Sequence, residues 1–411
     1  MRLAALAAHL IDLDRTAAGV FDRRLSLASA RPLAVALSGG GDSLALLLVA
    51  RAWTQSAGRP LLALTVDHGL QPQSAAWTAA CAERAAQFSI GFQALSWTGD
   101  KPTTGLPAAA RAARHRLLAD AAREAGARVI LMGHTADDIA EARAMRAAGA
   151  STPEPREWGP SPAWPEGRGI FLLRPLLGVR RAEIRAWLSA RAERWIEDPA
   201  NDDPRYARTR ARQALATDAP ASPMSTSPAD TEDLAGATGM DAAGVLAIDR
   251  NSLAAANPEA AAAFVGVACL CAAGTSRPAT AARVAALAER LRGGGCFAAS
   301  LAGARIEADE HEVRFLREPG EAARGGLRPL MIPAGRSEVW DGRFEIDGPA
   351  QVRALAGHAA RLPKPDRAAL SDYAPKARAA LPMDGDRLIV GRPLALSRLH
   401  AACRLISREA D

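Results

Sequence analysis

Short apolar runs alternate with longer helical patterns between residues 33 and 135 of this 411-residue chain. The segments with helical length and composition lie at 43–55, 74–88 and 107–125. The apolar runs that separate them are LAVAL (33–37), LLALTV (61–66), FQALSW (92–97) and RVILM (128–132). This alternation predicts an α/β fold with a doubly wound parallel sheet, which carries helices on both faces. Ligands of such sheets bind beyond the carboxyl ends of the strands, so functional residues are expected directly after each apolar run.

The regular alternation ends near residue 149. Residues 149–169 are rich in Pro, Gly and Trp, a composition typical of an irregular loop. Helical patterns return at 180–194 and at 204–216. The polar stretch TDAPASPMSTSPADTEDLA (217–235) then predicts a linker. We therefore expect an N-terminal domain at 1–216 that ends at this linker.

The region beyond the linker, 236–411, combines two kinds of pattern. Ala-rich helical composition covers 242–292, and short alternating runs predict strands near 297–317 and 337–346. We therefore expect a smaller C-terminal region that is helical at first and α+β afterwards.

A glycine-rich loop follows the first apolar run and leads into the helical pattern LALLLVARAW. It consists of Ser38, Gly39, Gly40, Gly41, Asp42 and Ser43. Its glycines allow the backbone to approach a phosphate closely and to turn N–H groups toward it. The helix N-terminus adds its positive dipole end, the serines offer hydroxyl donors, and Asp42 can hold a metal ion. This order of strand, loop and helix predicts phosphate binding, and the absence of GxxxxGK[ST] excludes a Walker A loop.

Polar residues also follow two other apolar runs. TVDHGL places Asp67 and His68 after the second run, where a capped turn is the structural alternative. GHTADDIAEA follows the last run, and a helix that begins there presents Asp138 and Glu141 on one face. Acidic residues in a first helical turn are also ordinary caps. The sheet topology nevertheless directs both segments into the crevice beside the glycine-rich loop.

Two basic segments are candidates for contacts with phosphates. GLPAAARAARHRL places Arg111 and Arg114 on one helical face, although a solvated basic face is the usual explanation. The segment WIEDPANDDPRYARTRAR contains Arg208, Arg210 and Arg212. Such a basic strip can follow a phosphate backbone, and a salt-bridged surface helix is its structural alternative.

Composition adds limits on partners and compartment. The net charge of +6 favours polyanionic partners, because basic side chains release counterions from phosphates. The five cysteines include no CxxC pair, which is typical of free thiols in a reducing cytosol rather than of a zinc site. Polar residues such as Asp12 and Asp14 interrupt the N-terminal apolar run, so a signal peptide is not expected. No run reaches transmembrane length, and we expect a cytoplasmic protein without membrane association.

Taken in order, the motifs resemble the tRNA(Ile)-lysidine synthetase family. The loop SGGGDS is similar to the PP-loop of ATP pyrophosphatases, and the resemblance covers about residues 1–215. The other matching segments are VDHGL, AAARAARHRLL, GHTADDIAEA, RPLL and WIEDPANDDPRYARTRAR. A later segment, SLAGARIEADEHEVRFLREPG (300–320), is similar to one that the family carries beyond its catalytic core.

The resemblance implies a two-step reaction. ATP adenylates the C2 oxygen of the wobble cytidine in the CAU anticodon of tRNA(Ile), and the amine of free L-lysine then displaces AMP to form lysidine. The implied ATP site comprises the PP-loop with Mg²⁺ on Asp42, together with Asp67, His68 and His134. The implied catalytic residues are Asp42, Arg114, Asp138 and Glu141. The implied contacts to tRNA and lysine come from Arg111, Arg114, Asp138, Glu141, Arg208 and Arg212, and the C-terminal region is expected to supply tRNA affinity.

Three alternatives remain at this point, and the oligomeric state is open. A PP-loop tRNA thiolase would share the ATP site, but the cytidine-thiolating relatives carry CxxC pairs that this chain lacks. An amidotransferase-type synthetase would need a glutaminase domain or an N-terminal Cys nucleophile, whereas the chain begins Met1-Arg2-Leu3. A non-catalytic tRNA-binding protein would not need Ser38, Asp42 and Ser43 together.

Overall fold

The computed structural model describes residues 11–149, 154–197, 207–215, 229–389 and 391–410, and the side chain of Arg208 lies outside this described part. The chain forms two compact units. The N-terminal unit comprises 1–224 together with 407–411, and the C-terminal unit comprises 225–406. Within the ranges just given, no helix combines the length and the apolar composition needed to cross a membrane.

The N-terminal unit is built on a sheet with the strand order β3-β2-β1-β4-β6-β5. Its strands are β1 (Leu33–Ala36), β2 (Leu61–Asp67), β3 (Gly91–Ser96), β4 (Val129–Leu131), β5 (Trp158–Pro160) and β6 (Phe171–Leu173). Neighbouring strands run parallel except at the edge, where β5 pairs antiparallel with β6. The strand order reverses between β1 and β4, so a crevice opens at their carboxyl ends.

Helices cover both faces of this sheet. They are α1 (Leu13–Arg24), α2 (Gly41–Ala57), α3 (Ser74–Gln87), α4 (Leu106–Glu124), α5 (Ala136–Ala147), α6 (Arg181–Ala190) and α7 (Ala207–Leu215). On one face, Leu118 of α4 packs in a buried cluster with Leu64 and Ile130. On the other face, α3 packs against β2 and β3 and buries Cys81 and Ala85. The predicted doubly wound parallel sheet is therefore confirmed.

Two sequence predictions were wrong in detail. The loop predicted at 149–169 contains the edge strand β5, which Trp158 anchors by stacking on Phe171 with ring centroids 4.8 Å apart. The helical region predicted at 242–292 begins with a strand at Leu246–Asp249. That strand has buried and partly exposed residues in alternation, a period that Ala-rich composition concealed. The predicted linker lies outside the described residues up to residue 228, and a helix occupies its last part from Ala229 onward.

The C-terminal unit begins with helices and an antiparallel sheet. The helices are α8 (Ala229–Gly236), α9 (Arg250–Ala255), α10 (Pro258–Ala273) and α11 (Ala281–Arg292). The strands, in the spatial order β7-β8-β11-β10-β9, are β7 (Gly239–Met240), β8 (Leu246–Asp249), β9 (Phe297–Leu301), β10 (Ala304–Ala308) and β11 (Glu312–Arg317). Phe264 of α10 lies edge-on to Phe315 of β11, with centroids 6.2 Å apart, in the main core of this unit.

Two small sheets complete the C-terminal unit. One has the order β12-β15-β16-β17 and the other the order β13-β14-β18. Their elements are β12 (Leu330–Ile332), β13 (Ser337–Trp340), β14 (Phe344–Asp347), β15 (Ala350–Ala354), α12 (Lys364–Ala369), β16 (Pro382–Asp384), β17 (Arg387–Leu388), β18 (Arg392–Pro393) and α13 (Ala395–Ala402). The expectation of a C-terminal part that is helical first and α+β afterwards is confirmed at this level.

The last residues of the chain pack within the N-terminal unit. Glu409 forms a two-pronged ion pair with Arg59, with Nη1–Oε2 and Nη2–Oε1 distances of 2.8 and 2.7 Å. Both side chains are at most 1% exposed. Arg59 also donates to the carbonyl of Arg31, and the Glu409 N–H donates to the carbonyl of Arg24 at 2.8 Å. The tail therefore supplies the counter-charge of an arginine buried in the N-terminal unit.

Removal of this counter-charge should destabilise the N-terminal unit. Changing Glu409 to Ala leaves the Arg59 guanidinium buried without its carboxylate, and a broken buried pair typically costs about 3–5 kcal/mol. Urea denaturation followed by tryptophan fluorescence should show an earlier unfolding transition. Glu124→Ala, at an exposed helix end, is the control and should stay within about 0.5 kcal/mol of wild type. Equal stability of the two variants would contradict a structural role for the pair.

Candidate active site

The glycine-rich loop joins β1 to α2 and is held by its own serines. The Ser38 N–H donates to Ser43 Oγ at 3.2 Å, and Ser43 Oγ donates to the Gly40 carbonyl at 2.9 Å. Gly39 has a φ of +83°, in the left-handed region that favours glycine. Helix α2 begins at Gly41, so its first N–H groups and its positive dipole end face the loop. The loop is therefore preorganised to receive an anion.

The segment after β4 lies directly against this loop. A Cβ atom added at Gly133 would come within 3.1 Å of the Asp42 carbonyl group and of the Ser43 nitrogen. Only a glycine permits this approach without displacing the first turn of α2. The motif GHTADD and the glycine-rich loop are therefore brought together, as the order of β1 and β4 predicts.

Asp138 caps the helix on which it lies. Its Oδ2 atom accepts from the Thr135 N–H at 2.7 Å and from Thr135 Oγ1 at 2.9 Å. Asp138 and Glu141 are 7% and 1% exposed, and both face the crevice side of α5 where Asp42 lies. The capping alternative is thus correct for Asp138, and the cap fixes its carboxylate beside Asp42.

Arg181, which the sequence analysis did not single out, joins these acidic residues. Its Nε atom lies 3.0 Å from Asp42 Oδ2, its Nη1 atom 3.2 Å from Glu141 Oε1, and its Nη2 atom 3.6 Å from Asp138 Oδ2. Arg212 reaches Glu141 as well, with Nε 2.9 Å from Oε1. We call Asp42, Asp138 and Glu141 the carboxylate cluster. One sequence feature could have indicated Arg181, since a basic residue at the first position of a helix opposes the dipole.

Burial and the guanidinium of Arg181 have opposite effects on the pKa of Asp42. Burial raises the pKa of the Asp42 carboxyl, Arg181 lowers it, and the balance lies above the ordinary value. The same carboxylates raise the pKa of Arg181 despite its burial, so this arginine keeps its charge. The cluster is therefore an ionic site within a crevice that is largely shielded from water.

A second group of residues, which we call the basic group, surrounds His115. It comprises Arg111, Arg114, Arg174 and the predicted His134. Arg174 donates from Nε to His134 Nδ1 at 3.1 Å and from Nη1 to the Arg156 carbonyl at 2.7 Å. Burial and Arg111 lower the pKa of Arg174 to about 10. Burial, followed by Arg114 and Arg111, lowers the pKa of the neighbouring His115 to about 2, so its ring is neutral.

The motif TVDHGL lies next to Arg114 of the basic group. Asp67 Oδ1 accepts from the Gly69 N–H at 2.7 Å, so the capped-turn alternative is correct for this residue. His68 lies edge-on to Trp97 with ring centroids 5.9 Å apart. Burial and the charge of Arg114 lower the pKa of His68. His68 and Arg114 are thus neighbours, although the sequence separates their motifs.

Trp195 and Ile196 lie over the glycine-rich loop, and the sequence analysis gave them no such position. The Ile196 N–H donates to the Gly39 carbonyl at 2.9 Å. A Cβ at Gly39 would lie 2.5 Å from Ile196 Cδ1, and one at Gly41 would lie 3.5 Å from the Trp195 ring. The two side chains help to line a cavity of about 210 Å³ beside the loop. Trp195 and Ile196 therefore pack on the glycine-rich loop itself, whereas residues 198–206 lie outside the described part.

The donor chemistry around Asp42 fits Mg²⁺. Among the residues that the structure describes, no three His, Cys, Asp or Glu side chains form a protein-only metal cage. Mg²⁺ is commonly held by one or two carboxylates together with substrate phosphates and water. Asp42 lies in the first turn of α2, next to the loop that is shaped for an anion. A metal that arrives with nucleotide phosphates would find a hard oxygen ligand there.

Comparison with known proteins first defines the class. A family model described as a PP-loop domain matches residues 13–219, and this span contains the loop, the carboxylate cluster and the basic group. The fold and this match define an ATP-binding protein of the PP-loop class.

Individual relatives then define the family. A tRNA(Ile)-lysidine synthase from Caulobacter vibrioides is 51% identical over 381 residues, covering 91% of this chain and 90% of the relative. One from Hyphomonas neptunium is 37% identical and covers 75% of this chain and 89% of the relative. One from Mesorhizobium japonicum is 45% identical over 44% of this chain and 41% of the relative. The chain belongs to the tRNA(Ile)-lysidine synthase family, and the resemblance indicated by the motifs is confirmed.

Substitution of Gly133 should impair nucleotide binding without unfolding the protein. A methyl group there must displace the backbone of Asp42 and Ser43 by a few tenths of an ångström. This displacement would misalign an N–H group at the start of α2, and a hydrogen bond to a charged group contributes about 1.5 kcal/mol, so we expect Gly133→Ala to weaken ATP binding about tenfold. Gly178→Ala is the control, because nothing lies within 4 Å of a Cβ at that position. The affinity for ATP is measured by calorimetric titration. Wild-type affinity in both variants would contradict the close approach of Gly133 to Asp42 and Ser43.

Proposed function

We propose that this crevice catalyses the ATP-dependent attachment of lysine to a cytidine of tRNA(Ile), which forms lysidine. The chain is an enzyme of the tRNA(Ile)-lysidine synthase family, and lysidine formation on tRNA(Ile) is the activity that the family carries. The observation that carries the proposal is the meeting of Asp42, in the PP-loop, with the buried acidic pair Asp138 and Glu141 around the guanidinium of Arg181. A phosphate site and a cation site are thereby adjacent, as an ATP-dependent ligation of an amino acid requires.

The first step uses the PP-loop. The C2 oxygen of the wobble cytidine in the CAU anticodon attacks the α-phosphorus of ATP, and pyrophosphate leaves. N–H groups at the start of α2 lie where they can stabilise the charge that develops on the departing pyrophosphate. Mg²⁺ on Asp42, when bound, neutralises part of that phosphate charge. His134, held by Arg174, and the neighbouring pair of Asp67 and His68 complete the proposed ATP site.

The second step uses the carboxylate cluster. The amine of lysine attacks C2 of the adenylated cytidine, and AMP leaves with the former C2 oxygen. We assign Asp138 and Glu141 to the side-chain or main-chain ammonium of free L-lysine, because a paired anionic site holds such a cation. Glu141 is only 1% exposed, so its interaction with an ammonium group would be weakly screened by water.

The basic residues are assigned to tRNA. Arg111 and Arg114 on α4 and Arg212 on α7 would contact the anticodon backbone or the reacting base, and we extend the assignment to Arg208 by its place in the same motif. We propose that residues 1–216 carry the chemistry, that 217–235 act as a linker, and that 236–411 contribute affinity for tRNA. A substrate of this kind implies action in the cytoplasm.

The alternatives that the sequence left open are not favoured. The relatives are named as lysidine synthases, and the chain contains no CxxC pair for a thiolase-type cluster. A non-catalytic tRNA-binding protein would have no use for a loop held by Ser38 and Ser43 with Asp42 directed at a guanidinium.

Substitution of Asp42 tests the ATP assignment. Asp42→Ala should reduce pyrophosphate release in the presence of tRNA and lysine by at least about 100-fold, because the proposed metal ligand is lost. The fold should persist, since Arg181 keeps Asp138 and Glu141 as partners. Pyrophosphate release and a nucleoside digest of the product tRNA measure the two halves of the reaction. Wild-type turnover by a folded Asp42→Ala variant would refute the assignment of this loop as the ATP site.

Substitution of Glu141 tests the lysine assignment. Glu141→Gln keeps the shape of the side chain and removes one charge, and loss of a charge-assisted hydrogen bond costs about 1.5–3 kcal/mol. The apparent KM for lysine should therefore rise by roughly one to two orders of magnitude. Adenylation of tRNA, which does not use the amino acid, should persist.

The matched control is Glu154→Gln. Glu154 is also paired with two arginines, Arg143 and Arg146, but it lies outside the carboxylate cluster. It should leave the KM for lysine unchanged. If Glu141→Gln instead blocked adenylation and left that KM alone, Glu141 would belong to the ATP and metal site.

A further inference from the structure

Arg181 is placed where a bound cation would otherwise interact with the carboxylate cluster. Its guanidinium lies within 3.6 Å of a carboxylate oxygen of each of Asp42, Asp138 and Glu141. Its side chain is 16% exposed, so these interactions are only partly screened by solvent. The backbone N–H of Arg181 donates to Asp137 Oδ2 at 2.7 Å, which fixes the start of α6 against α5. The backbone of Arg181 is thus fixed, while its charged guanidinium lies among the three carboxylates.

A metal ion on Asp42 and this guanidinium exclude each other in part. Arg181 Nε already donates to Asp42 Oδ2 at 3.0 Å. A divalent ion at the same carboxylate would lie next to a like charge, and the repulsion would be strong in a shielded site. The arginine has other partners within reach, because its Nη1 and Nη2 atoms face Glu141 and Asp138. It can therefore leave Asp42 without leaving the crevice.

We propose that Arg181 is a positioning residue that competes with the divalent metal for Asp42 and thereby makes metal binding depend on ATP. The proposal deepens the proposed function and rests on its assignment of Asp42 to the metal. Without nucleotide, the guanidinium neutralises Asp42 and opposes a metal ion. The phosphates of ATP bring negative charge that compensates the metal and can also receive the displaced guanidinium. Metal and nucleotide are then favoured as a pair, in the place where pyrophosphate must leave.

The test measures Mn²⁺ binding to the full-length protein without nucleotide, tRNA or lysine. The concentration of free Mn²⁺ is followed by electron paramagnetic resonance. Arg181→Gln removes the competing charge and should bind Mn²⁺ at least tenfold more tightly than wild type. Arg185→Gln is the matched control, because Arg185 is exposed on the same helix and acts on Asp42 only at longer range. It should change the Mn²⁺ affinity no more than about twofold.

Two further variants keep the test decisive. Arg181→Lys retains a charge but has a single donor group, so its Mn²⁺ affinity should fall between those of wild type and Arg181→Gln. It also serves if Arg181→Gln fails to fold, which thermal melting would show. Adding Asp42→Ala to either Arg181 variant should abolish the gain, which assigns the metal to Asp42.

The proposal is overturned if folded Arg181 variants bind Mn²⁺ no more tightly than wild type, or if the gain survives loss of Asp42. Neither result depends on lysidine formation, because no tRNA or lysine is present. If lysidine formation failed while Arg181→Gln still gained Mn²⁺ affinity, the competition would stand and the proposed function would not. If Arg181 had only a structural role, its substitution would change the stability of the protein but would not raise its affinity for Mn²⁺.

Discussion

The contact between Arg181 and the carboxylate cluster is the interaction on which the crevice depends. The three acidic side chains come from α2 and α5, which follow the adjacent strands β1 and β4, and the arginine comes from α6. Topology alone would bring these carboxylates together at an electrostatic cost, since the charge of Asp138 raises the pKa of Asp42. The guanidinium offsets that repulsion. The chain can therefore keep an acidic site ready beside a loop that attracts anions.

Residues that cap local structure are also residues that we assign to the proposed site. Asp138 closes the first turn of α5 and Asp67 closes the turn after β2, so in both cases the cap holds a carboxylate that the proposal uses. A cap removes rotational freedom from the carboxylate before any substrate arrives. Such preorganisation lowers the cost of aligning reactants. The pair of Ser38 and Ser43 has the same effect on the PP-loop, because each constrains the other.

The sequence predicted those parts of the site that depend on local patterns and on strand order. Apolar runs located the strands, and the motifs SGGGDS and GHTADD met in one crevice because the parallel strands that precede them end at the same edge. Arg181 was missed because its partner Asp42 is 139 residues away, and no periodicity reports such a pair. The ion pair of Arg59 and Glu409 spans 350 residues and was missed for the same reason. The strand at Leu246–Asp249 was missed because alanines satisfy helical and extended patterns alike.

The N-terminal unit depends structurally on residues 407–411, which follow the whole C-terminal unit in sequence. Arg24 donates to the Ser407 carbonyl at 2.7 Å and to Glu157 Oε1 at 2.8 Å. The Glu157 carbonyl accepts from the Arg174 N–H, and the Arg174 side chain holds His134. Residues 407–411 thus support Glu157, the residue before β5, through Arg24. Arg174 connects Glu157 in turn to His134, which we assign to the ATP site. A fragment that ends before residue 407 lacks this support as well as the partner of Arg59. Loss of activity in such a fragment would therefore combine two effects, the loss of this support and the loss of residues 236–406. A deletion of 236–406 that retains residues 407–411 would measure the contribution of the deleted residues to tRNA binding.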